Sequence, residues 1–403
     1  MTETQAAAVT FDHVDILFGD DTTEALALLD KGAGRGRILQ QTGVVVGVAD
    51  ANLSVREGEI CVLMGLSGSG KSTLVRAVNG LADVTRGRVL VNDGGEQVDV
   101  TRCGPGVLRR LRSRRVAMVF QQFALLPWRT VRENVGFGLE LRGVGRAERD
   151  RVVEEKLRLV ALSDWADKFA HELSGGMQQR VGLARAFATD ADILLMDEPF
   201  SALDPLIRDK LQDELLGLQQ ALRKTILFVS HDLDEALKIG NRIAIMEAGR
   251  IVQVGTPEEI VLSPANAYVA EFVQHMNPMR VLRGRSIMAP VGALAQRDGW
   301  RVLDSAAGVR VRLNGAGGVE AAEGAGGPLE VDHWTPDTPP EAVAAGRLVL
   351  APAGLTLREA VALRRASGLP LGLLEDGRLA GVCGDGEIYG ALLRRAEADA
   401  GDG

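Results

Sequence analysis

A glycine-rich segment between residues 65 and 73 has the residue types and spacing that suit phosphate binding. Its residues are, in order, Gly65, Leu66, Ser67, Gly68, Ser69, Gly70, Lys71, Ser72 and Thr73. They match the pattern G-x-x-x-x-G-K-[ST], in which glycines let successive backbone N–H groups point at phosphate oxygens. In this pattern Lys71 neutralises the β- and γ-phosphates and Ser72 is a ligand of Mg²⁺. Apolar runs flank the segment, so it predicts a strand, a phosphate loop and a helix whose positive end faces the anion.

A pair of carboxylates, Asp197 and Glu198, follows the apolar run at 193–196. Acidic side chains at the carboxyl end of a buried strand lie where α/β proteins bind their ligands. Considered alone, such a pair is more typical of a helix cap. Beside a phosphate loop, we predict that Asp197 holds Mg²⁺, directly or indirectly. Glu198 is then predicted to polarise the water that attacks the γ-phosphate.

A second helix start that suits an anion lies at residues 173–180. Ser174 is predicted to cap this helix, and Gly175 and Gly176 expose backbone N–H groups at its positive end. Considered alone, these residues are more typical of simple capping. Together with the phosphate loop, this segment would give one chain two helix N-termini that can bind phosphate.

The elements that must position these groups alternate apolar runs with helical patterns over about residues 10–275. Short continuous apolar runs indicate strands that are buried on both faces, as in a parallel sheet covered by helices. Such runs occur at 60–64, 116–120, 193–196, 225–229 and 243–246. We therefore predict an α/β fold with a helical insertion at about 20–43 between two early strands.

Composition and charge exclude several classes of protein. The chain has 403 residues, of which 46% are hydrophobic and 25% charged, so two or three globular domains are expected. The sequence contains neither a run of about 20 apolar residues nor a signal-peptide pattern, so no transmembrane helix is expected. The distant Cys61, Cys103 and Cys383 form no disulfide or zinc framework. A net charge of −8 argues against broad nucleic-acid binding.

An arginine-rich stretch occupies residues 105–115. Its arginines are Arg109, Arg110, Arg112, Arg114 and Arg115. We interpret it as a solvated face ahead of a strand, and the alternative is a surface for an anion or a membrane.

The order of the motifs resembles that of the ATPase subunits of ABC transporters. The matching residues are the phosphate loop, Gln121, Leu173-Ser174-Gly175-Gly176-Met177-Gln178, Asp197-Glu198, Ser201-Ala202-Leu203-Asp204 and His231. Each motif occurs once, and the resemblance covers about residues 10–275. It implies a P-loop ABC-type ATPase domain at 1–280 with an antiparallel β subdomain. It also implies ATP as the substrate and Mg²⁺ as the cofactor.

The resemblance implies roles for individual residues as well. Such subunits form head-to-tail dimers around ATP, so the phosphate loop of one chain faces the segment from Ser174 to Gln178 of the other. Gln121 is similar to the loop glutamine that senses Mg²⁺ and contacts the membrane partner. His231 is similar to the histidine that contacts the γ-phosphate, and Asp204 to the residue that links the nucleotide sites across the interface.

Phe18 has two open interpretations. In relatives, an aromatic residue ahead of the phosphate loop stacks on adenine, and Leu17-Phe18-Gly19 fits that local pattern. The insertion at 20–43 makes its distance from the loop unusual, and a phenylalanine packed in the core is equally consistent with the sequence.

Further segments resemble the ATPases of glycine betaine, proline and choline importers. They include the insertion, Leu125-Leu126-Pro127-Trp128 and residues 196–208, while 229–240 is most similar to choline-uptake ATPases. The resemblance implies import of choline or a related quaternary amine such as glycine betaine or proline betaine. The implied partners are a second ATPase subunit in a homodimer, an integral-membrane permease and a periplasmic or lipid-anchored substrate-binding protein.

The resemblance also implies a location, the cytoplasmic face of the bacterial inner membrane, with the chain attached peripherally. The alternative is a soluble ABC ATPase that acts on nucleic acid or ribosomes. Such proteins usually carry paired ATPase units, long coiled coils or a zinc hook, and no such feature is visible in the sequence. We therefore expect no nucleic-acid partner.

The region after about residue 280 differs in amino-acid composition from the rest of the chain. Residues 313–328 are rich in glycine and alanine, and 335–340 include Pro336, Pro339 and Pro340. We expect 281–346 to be a linker and irregular region, or a degenerate repeat of the following unit. Residues 347–403 are expected to form a strand, helix, strand, hairpin turn, strand and helix, with a tail.

In the resembled family the C-terminal region often holds cystathionine-β-synthase (CBS) domains, and 347–395 resembles one such unit. The expected fold class of this region is therefore α+β and CBS-like. Gly384 and Glu387 occupy the threonine and aspartate positions of the family's nucleotide pattern. Adenosine binding is therefore not expected there.

Overall fold

The computed structural model describes residues 7–274 and 278–400. They belong to two compact units, Met1–Pro257 and Glu258–Gly403. The division lies ahead of residue 280, where the sequence analysis ended the ATPase domain, because Val261 and Leu262 pack into the core of the second unit. No helix among the described residues is long and apolar enough to cross a lipid bilayer.

The strands of the first unit form two sheets. They are β1 (Ala7–Phe18), β2 (Val45–Arg56), β3 (Ile60–Met64), β4 (Arg86–Asp93), β5 (Glu96–Asp99), β6 (Val116–Val119), β7 (Ile193–Asp197), β8 (Thr225–Val229), β9 (Arg242–Glu247) and β10 (Arg250–Gly255). The predicted antiparallel subdomain is the sheet β2-β1-β4-β5. The other sheet has the order β10-β9-β3-β8-β7-β6, and its pairs from β9 to β6 are parallel. The α/β fold is thus confirmed, because every residue of β3, β7 and β8 is buried.

The helices of the first unit cover and connect these sheets. They are α1 (Thr23–Asp30), α2 (Arg35–Thr42), α3 (Lys71–Val78), α4 (Pro105–Arg110), α5 (Val131–Leu141), α6 (Arg146–Leu159), α7 (Gly175–Ala188), α8 (Pro205–Leu222) and α9 (Leu233–Ile239). A π-helical turn at Leu111–Arg115 continues α4, and short 3-10 turns at Ser163–Trp165 and Ala170–Glu172 precede α7.

The main core of the first unit lies where α3 meets both sheets. Leu74 and Val78 of α3 pack with alternate residues of the parallel strands, such as Leu63 and Leu195, and with Phe11 of β1. Burying each such side chain contributes about 1.5–3 kcal/mol. This packing fixes the start of α3, and with it the phosphate loop, relative to the strand ends.

The insertion between β1 and β2 consists of α1 and α2, as predicted. Its own small core contains Leu29 and Ile38, which pack with Val46 of β2. The guanidinium of Arg86 on β4 donates to both oxygens of Asp30 at 3.0 and 2.7 Å. Apolar packing and this ion pair together hold the insertion against the antiparallel sheet.

The second unit contains two further sheets and their covering helices. Its strands are β11 (Ala289–Pro290), β12 (Gln296–Arg297), β13 (Trp300–Asp304), β14 (Val309–Leu313), β15 (Val319–Gly324), β16 (Gly327–Pro328), β17 (Val331–His333), β18 (Leu348–Pro352), β19 (Leu371–Glu375) and β20 (Arg378–Cys383). Its helices are α10 (Pro257–Leu262), α11 (Ala267–Gln274), α12 (Pro278–Val281), α13 (Gly284–Ile287), α14 (Leu357–Ser367) and α15 (Asp385–Ala400). Short 3-10 turns occur at Val291–Ala293 and Pro340–Ala342.

The glycine-rich segment before residue 330 is not irregular, and this corrects the expectation of a linker. It forms the antiparallel sheet β12-β13-β14-β15-β16. The side chain of Asn314 accepts from the backbone N–H groups of Ala316 and Gly318, and these bonds build the turn between β14 and β15. The glycine and alanine content of β15 and β16 leaves no clear apolar alternation in those strands, whereas Val309, Val311 and Leu313 of β14 do alternate with arginines.

The predicted unit after residue 347 has the expected element order, and the two faces of its sheet are covered differently. Val349 and Leu371 pack in one core with residues of α14 and α15. Leu348 and Leu379 pack in another with Val309 and Val311 of the glycine-rich sheet. Side chains alternate along a strand, so one sheet serves both cores.

Candidate functional site

The phosphate loop runs from β3 into α3 and depends on glycine at two positions. Gly65 has φ +143° and Gly70 has φ +102°. A Cβ on Gly65 would lie 2.1 Å from the carbonyl oxygen of Met246, and one on Gly70 would lie 2.4 Å from that of Gly47. Both positions therefore combine a left-handed backbone with a close approach to another strand, which only glycine accommodates.

Lys71 is the first residue of α3 and is nearly buried. Its Nζ donates to the carbonyl oxygens of Gly65 at 2.8 Å and Leu66 at 2.9 Å. Burial lowers the pKa of this ammonium group, while the nearby carboxylates of Glu198 and Asp197 oppose that shift. The loop thus encloses a partly desolvated cation, which a phosphate chain would stabilise.

Asp197, the last residue of β7, is completely buried and is held from two positions on α3. Ser72 Oγ donates to its Oδ1 at 2.6 Å, and Arg76 Nη2 donates to its Oδ2 at 2.9 Å. Arg76 was not among the residues predicted from the sequence. The available signal was its spacing, since residues i and i+4 lie on one face of a helix and Ser72 was already assigned there.

Glu198, Gln121 and His231 come together although they are far apart in sequence. Glu198 Oε2 accepts a hydrogen bond from Gln121 Nε2 at 3.1 Å and lies 3.4 Å from Nδ1 of His231. Gln121, Glu198 and His231 follow β6, β7 and β8, which are neighbours in the sheet. The three predicted catalytic side chains therefore meet at one sheet edge.

The backbone of Glu198 is itself unusual. Its φ is +48°, in the left-handed region that residues other than glycine seldom adopt. Its N–H donates to the carbonyl oxygen of Val229 at 3.2 Å. Gln179 of α7, another residue that the sequence analysis missed, donates to the carbonyl oxygen of Glu198 at 3.1 Å and accepts from the N–H of Ala202 at 3.0 Å. These bonds hold the strained turn on both sides.

The second predicted helix start forms, but it lies apart from the phosphate loop of its own chain. Ser174 caps α7 by accepting from the N–H of Met177 at 3.4 Å. Gln178 Nε2 donates to the carbonyl oxygens of Ala170 at 3.0 Å and Leu173 at 3.2 Å, so it braces the turn before α7. Among the described residues that line the phosphate cleft, none comes from 174–178.

Asp204 occupies a similar position at the start of α8. Its Oδ1 accepts from the N–H of Ile207 at 3.0 Å, and Pro205 is the first residue of the helix. The residue therefore acts as an N-cap within its own chain.

Phe18 lines the same cleft as the phosphate loop. The cleft has a volume of about 410 Å³, and its lining residues are Phe18, Arg35, Gly36, Leu39, Val45, Val46, Gly47, Ser67, Gly68, Gly70, Lys71, Ser72, Thr73, Gln121 and Glu198. The side chain of Phe18 is 48% exposed, so it is not packed in the core. Arg35, Gly36 and Leu39 of the insertion contribute to this lining, and they were not predicted from the sequence.

Comparison with known proteins identifies the family. Residues 48–201 match the sequence model of the family described as "ABC transporter". The glycine betaine/proline betaine transport ATP-binding protein ProV of Salmonella typhimurium is 50% identical over 286 residues, which cover 70% of each chain. The glycine betaine transport ATP-binding protein OpuAA of Bacillus subtilis is 50% identical over 291 residues, which cover 72% of this chain and 69% of that one.

Solved structures agree with these relatives. A dimeric structure of a bacterial ABC transporter cassette has a TM-score of 0.54 and 28% identity, covering 62% of this chain and 98% of the other. A cassette in a post-hydrolysis state bound to ADP and phosphate also has a TM-score of 0.54, with 29% identity and the same coverage. With half of the aligned residues identical over 70% of both chains, and the phosphate loop, Asp197 and Glu198 assembled at one sheet edge, this chain belongs to the ATP-hydrolysing subunits of ABC transporters.

Proposed function

We propose that this ATPase energises the import of a quaternary amine through a membrane permease. The observation that carries the proposal is the 50% identity with subunits named for glycine betaine and proline betaine transport. A relative named for trimethylamine N-oxide transport, from Ruegeria pomeroyi, is 46% identical over 280 residues. These names favour glycine betaine as the transported class, with choline as a related candidate. The alternative role on nucleic acid or ribosomes has no counterpart in them.

The cluster around Glu198 supports a mechanism of hydrolysis. A water molecule held by the Glu198 carboxylate attacks the γ-phosphorus of ATP, and its proton moves to that carboxylate. The new P–O bond forms as the bond to the oxygen bridging the β- and γ-phosphates breaks, so the products are ADP and phosphate. Gln121 and His231 orient the carboxylate through their contacts at 3.1 and 3.4 Å.

The residues beside the phosphate loop fit a Mg²⁺ ion. Magnesium prefers oxygen ligands, and Ser72 Oγ and Asp197 Oδ1 lie 2.6 Å apart at the start of α3. Gln121 adds an amide oxygen from the loop after β6. The ion supplies charge neutralisation of the β- and γ-phosphates when it is bound. Within the chain, Arg76 fixes the orientation of the Asp197 carboxylate through its bond at 2.9 Å.

The separation of Ser174 from the phosphate cleft of its own chain supports a head-to-tail homodimer. In such a dimer, the N-terminus of α7 from one chain would face ATP held by Lys71 and Ser72 of the other. Asp204, which caps the following helix α8, would link the nucleotide sites across the interface. The dimeric cassette that this chain resembles supports the same arrangement.

Exposed apolar side chains on α5 and in the loop after β6 suit a contact with the permease. A hollow of about 340 Å³ is lined by Pro105, Leu108, Arg109, Arg112, Ser113, Gly138, Leu141 and Thr189. Leu141 is 70% exposed, and Trp128 in the loop after Gln121 is 71% exposed. Exposed apolar side chains of this size mark interaction surfaces. We assign the hollow to the permease, which would hold the chain at the cytoplasmic face of the bacterial inner membrane.

The C-terminal unit after residue 347 is proposed to be CBS-like and to have no adenosine site. The carboxylate of Glu387 accepts from the N–H of Gly384 at 2.9 Å. It is therefore engaged at the start of α15 instead of being free for a ribose hydroxyl.

The direct test is reconstitution with the permease and a substrate-binding protein in liposomes. ATP hydrolysis is measured with glycine betaine, choline or proline at the binding protein. We expect stimulation by glycine betaine or choline, and none by any of the three when the chain carries Glu198→Gln. Equal hydrolysis with and without all three compounds would reject the assignment to quaternary-amine import.

A further inference from the structure

The insertion formed by α1 and α2 contributes to the cleft that holds the phosphate loop. Arg35, Gly36 and Leu39 of α2 line it. Ile38, on a different side of the same helix, is completely buried in the core of the insertion. One face of α2 therefore anchors the helix, and the other face lies in the cleft.

One part of the cleft is lined by apolar side chains that are about half exposed. Phe18 at the end of β1 and Leu39 on α2 are each 48% exposed, and Val45 at the start of β2 is 50% exposed. All three line the cleft together with the phosphate loop. An aromatic ring and two aliphatic side chains that leave this much surface uncovered suit a flat, largely apolar ligand group such as a nucleobase.

Arg35 brings a positive charge to the same cleft. Its Nη1 donates to the carbonyl oxygen of Gly68 at 3.0 Å, and its Nη2 donates to that of Gly47. Its Nε is buried without a hydrogen-bond partner. Burial lowers the pKa of the guanidinium, and no carboxylate contributes to that shift. A partly desolvated cation whose hydrogen bonds go to neutral carbonyls carries a cost, and a nearby anion would offset it.

We propose that the insertion is a wall of the ATP site. The adenine base lies between Leu39 and Phe18, and the charge of Arg35 stabilises the polyphosphate. The two hydrogen bonds of Arg35 also position the phosphate loop. The proposal rests on the assignment of ATP binding to this cleft. It gives the insertion a role in nucleotide affinity in addition to its packing on the antiparallel sheet.

The wall is tied to the antiparallel sheet through Arg86. Arg86 donates to both oxygens of Asp30 on α1 and, through Nε, to the buried Asp15 of β1 at 2.6 Å. Fixing a recognition surface in advance reduces the entropy lost when a ligand binds. Arg35 and Leu39 therefore lie on a helix that is packed in the core of the insertion.

The test separates the base from the phosphates by comparing ATP with inorganic tripolyphosphate. Affinities of the full-length chain are measured by calorimetry with Mg²⁺ present. Leu39→Ala should weaken ATP binding about fivefold and leave tripolyphosphate binding unchanged, because tripolyphosphate has no base. Arg35→Gln, which keeps hydrogen-bond donors but removes the charge, should weaken both ligands about tenfold. Arg35→Lys should recover most of the tripolyphosphate affinity.

Matched controls are available in the same unit. Arg37→Gln changes an exposed arginine of α2, and Leu222→Ala changes an exposed leucine of α8; neither residue lines the cleft. Both should bind ATP and tripolyphosphate as the wild type does. Thermal unfolding without nucleotide checks that every variant is folded.

The possible results separate a failure of the proposal about the insertion from a failure of the ATP-site assignment on which it rests. Lys71→Ala should lose ATP binding, and wild-type affinity in that variant would show that the phosphate loop itself is wrongly assigned. If Lys71→Ala loses ATP binding while Leu39→Ala and Arg35→Gln bind ATP like the wild type, the wall proposal alone is overturned. Equal weakening of ATP and tripolyphosphate by Leu39→Ala would overturn the contact with the base.

Discussion

At the scale of single residues, the proposed chemistry depends on how Glu198 is held. Its carboxylate contacts Gln121 and His231, and its backbone occupies the left-handed region at φ +48°. Hydrogen bonds from its own N–H and from Gln179 compensate for that strain. The side chain is therefore held in one orientation, as its proposed role as general base requires.

Replacing Glu198 by glutamine tests its role as the base. The amide keeps the shape and one oxygen of the carboxylate but cannot take the proton, so we expect hydrolysis to fall about 100-fold or more. ATP binding should persist, and size-exclusion chromatography with ATP should reveal an accumulated dimer. Steady-state hydrolysis at the wild-type rate would reject Glu198 as the base.

Lys71 tests the phosphate loop at the same scale. Its ammonium is partly desolvated among the carbonyls of Gly65 and Leu66, and we expect Lys71→Ala to weaken ATP binding at least tenfold. Adenosine, which has no phosphates, serves as the control ligand, since its weak binding should not change. Unchanged ATP affinity would contradict the role of the loop.

At the scale of elements, the segment that carries His231 is braced from behind by α9. Glu235 of α9 is buried and accepts from Ser230 Oγ at 2.5 Å and from Gln212 Nε2 of α8 at 3.0 Å. The turn between β8 and α9 is thus tied to α8 through one carboxylate. Burial raises the pKa of Glu235, an effect that both hydrogen bonds oppose.

This arrangement predicts a pH dependence of stability. The pKa of Glu235 in the folded chain lies above its ordinary value of 4.5. The stabilisation that this carboxyl group contributes is therefore complete below pH 4.5, and it is lost as the pH rises through the pKa of the folded chain. Glu235→Gln removes the buried charge and keeps hydrogen bonds to both neighbours. We expect it to unfold at a higher temperature than the wild type near pH 8, by a few degrees, because the ionised carboxylate is buried in the wild type.

Calorimetric melting of both chains from about pH 5 to pH 8 measures this difference. The difference in melting temperature between the wild type and Glu235→Gln should narrow steadily toward acid pH. A gap of constant size at every pH would mean that the buried carboxylate is not its cause. Glu214→Gln on α8 serves as the control, because the side chain of Glu214 has only intermediate burial.

At the scale of the whole molecule, the two helix starts that suit phosphate lie apart within one chain. The phosphate loop begins α3 and Ser174 caps α7, and the cleft around the loop contains no residue of 174–178 among those described. If ATP needs both, two chains must supply them, and each site is incomplete without its partner.

Mixing two defective chains tests that dependence. Lys71→Ala disables the phosphate loop, and Ser174→Arg places a bulky cation at the start of α7, so each chain alone should hydrolyse almost no ATP. An equimolar mixture should recover part of the wild-type rate, because a mixed dimer contains one site with both parts intact. A mixture as inactive as its components would argue against shared sites, provided that the Ser174→Arg chain alone still binds ATP.

The residues close together in sequence could be assigned from the sequence alone. The phosphate loop is a short backbone path whose glycines and lysine act within a few residues, and the parallel strands are continuous apolar runs. Both signals are local, so they survive without knowledge of the fold. The insertion of two helices was visible for the same reason.

Only the tertiary structure decided which distant residues meet. Gln121, Glu198 and His231 converge because β6, β7 and β8 are adjacent in the sheet, and the order of strands is not written in any short segment. Arg76, Gln179 and Arg35 act through contacts with residues up to 121 positions away. Likewise, the glycine-rich stretch became a sheet through pairing between strands. Local patterns specify elements, whereas packing between elements specifies the site.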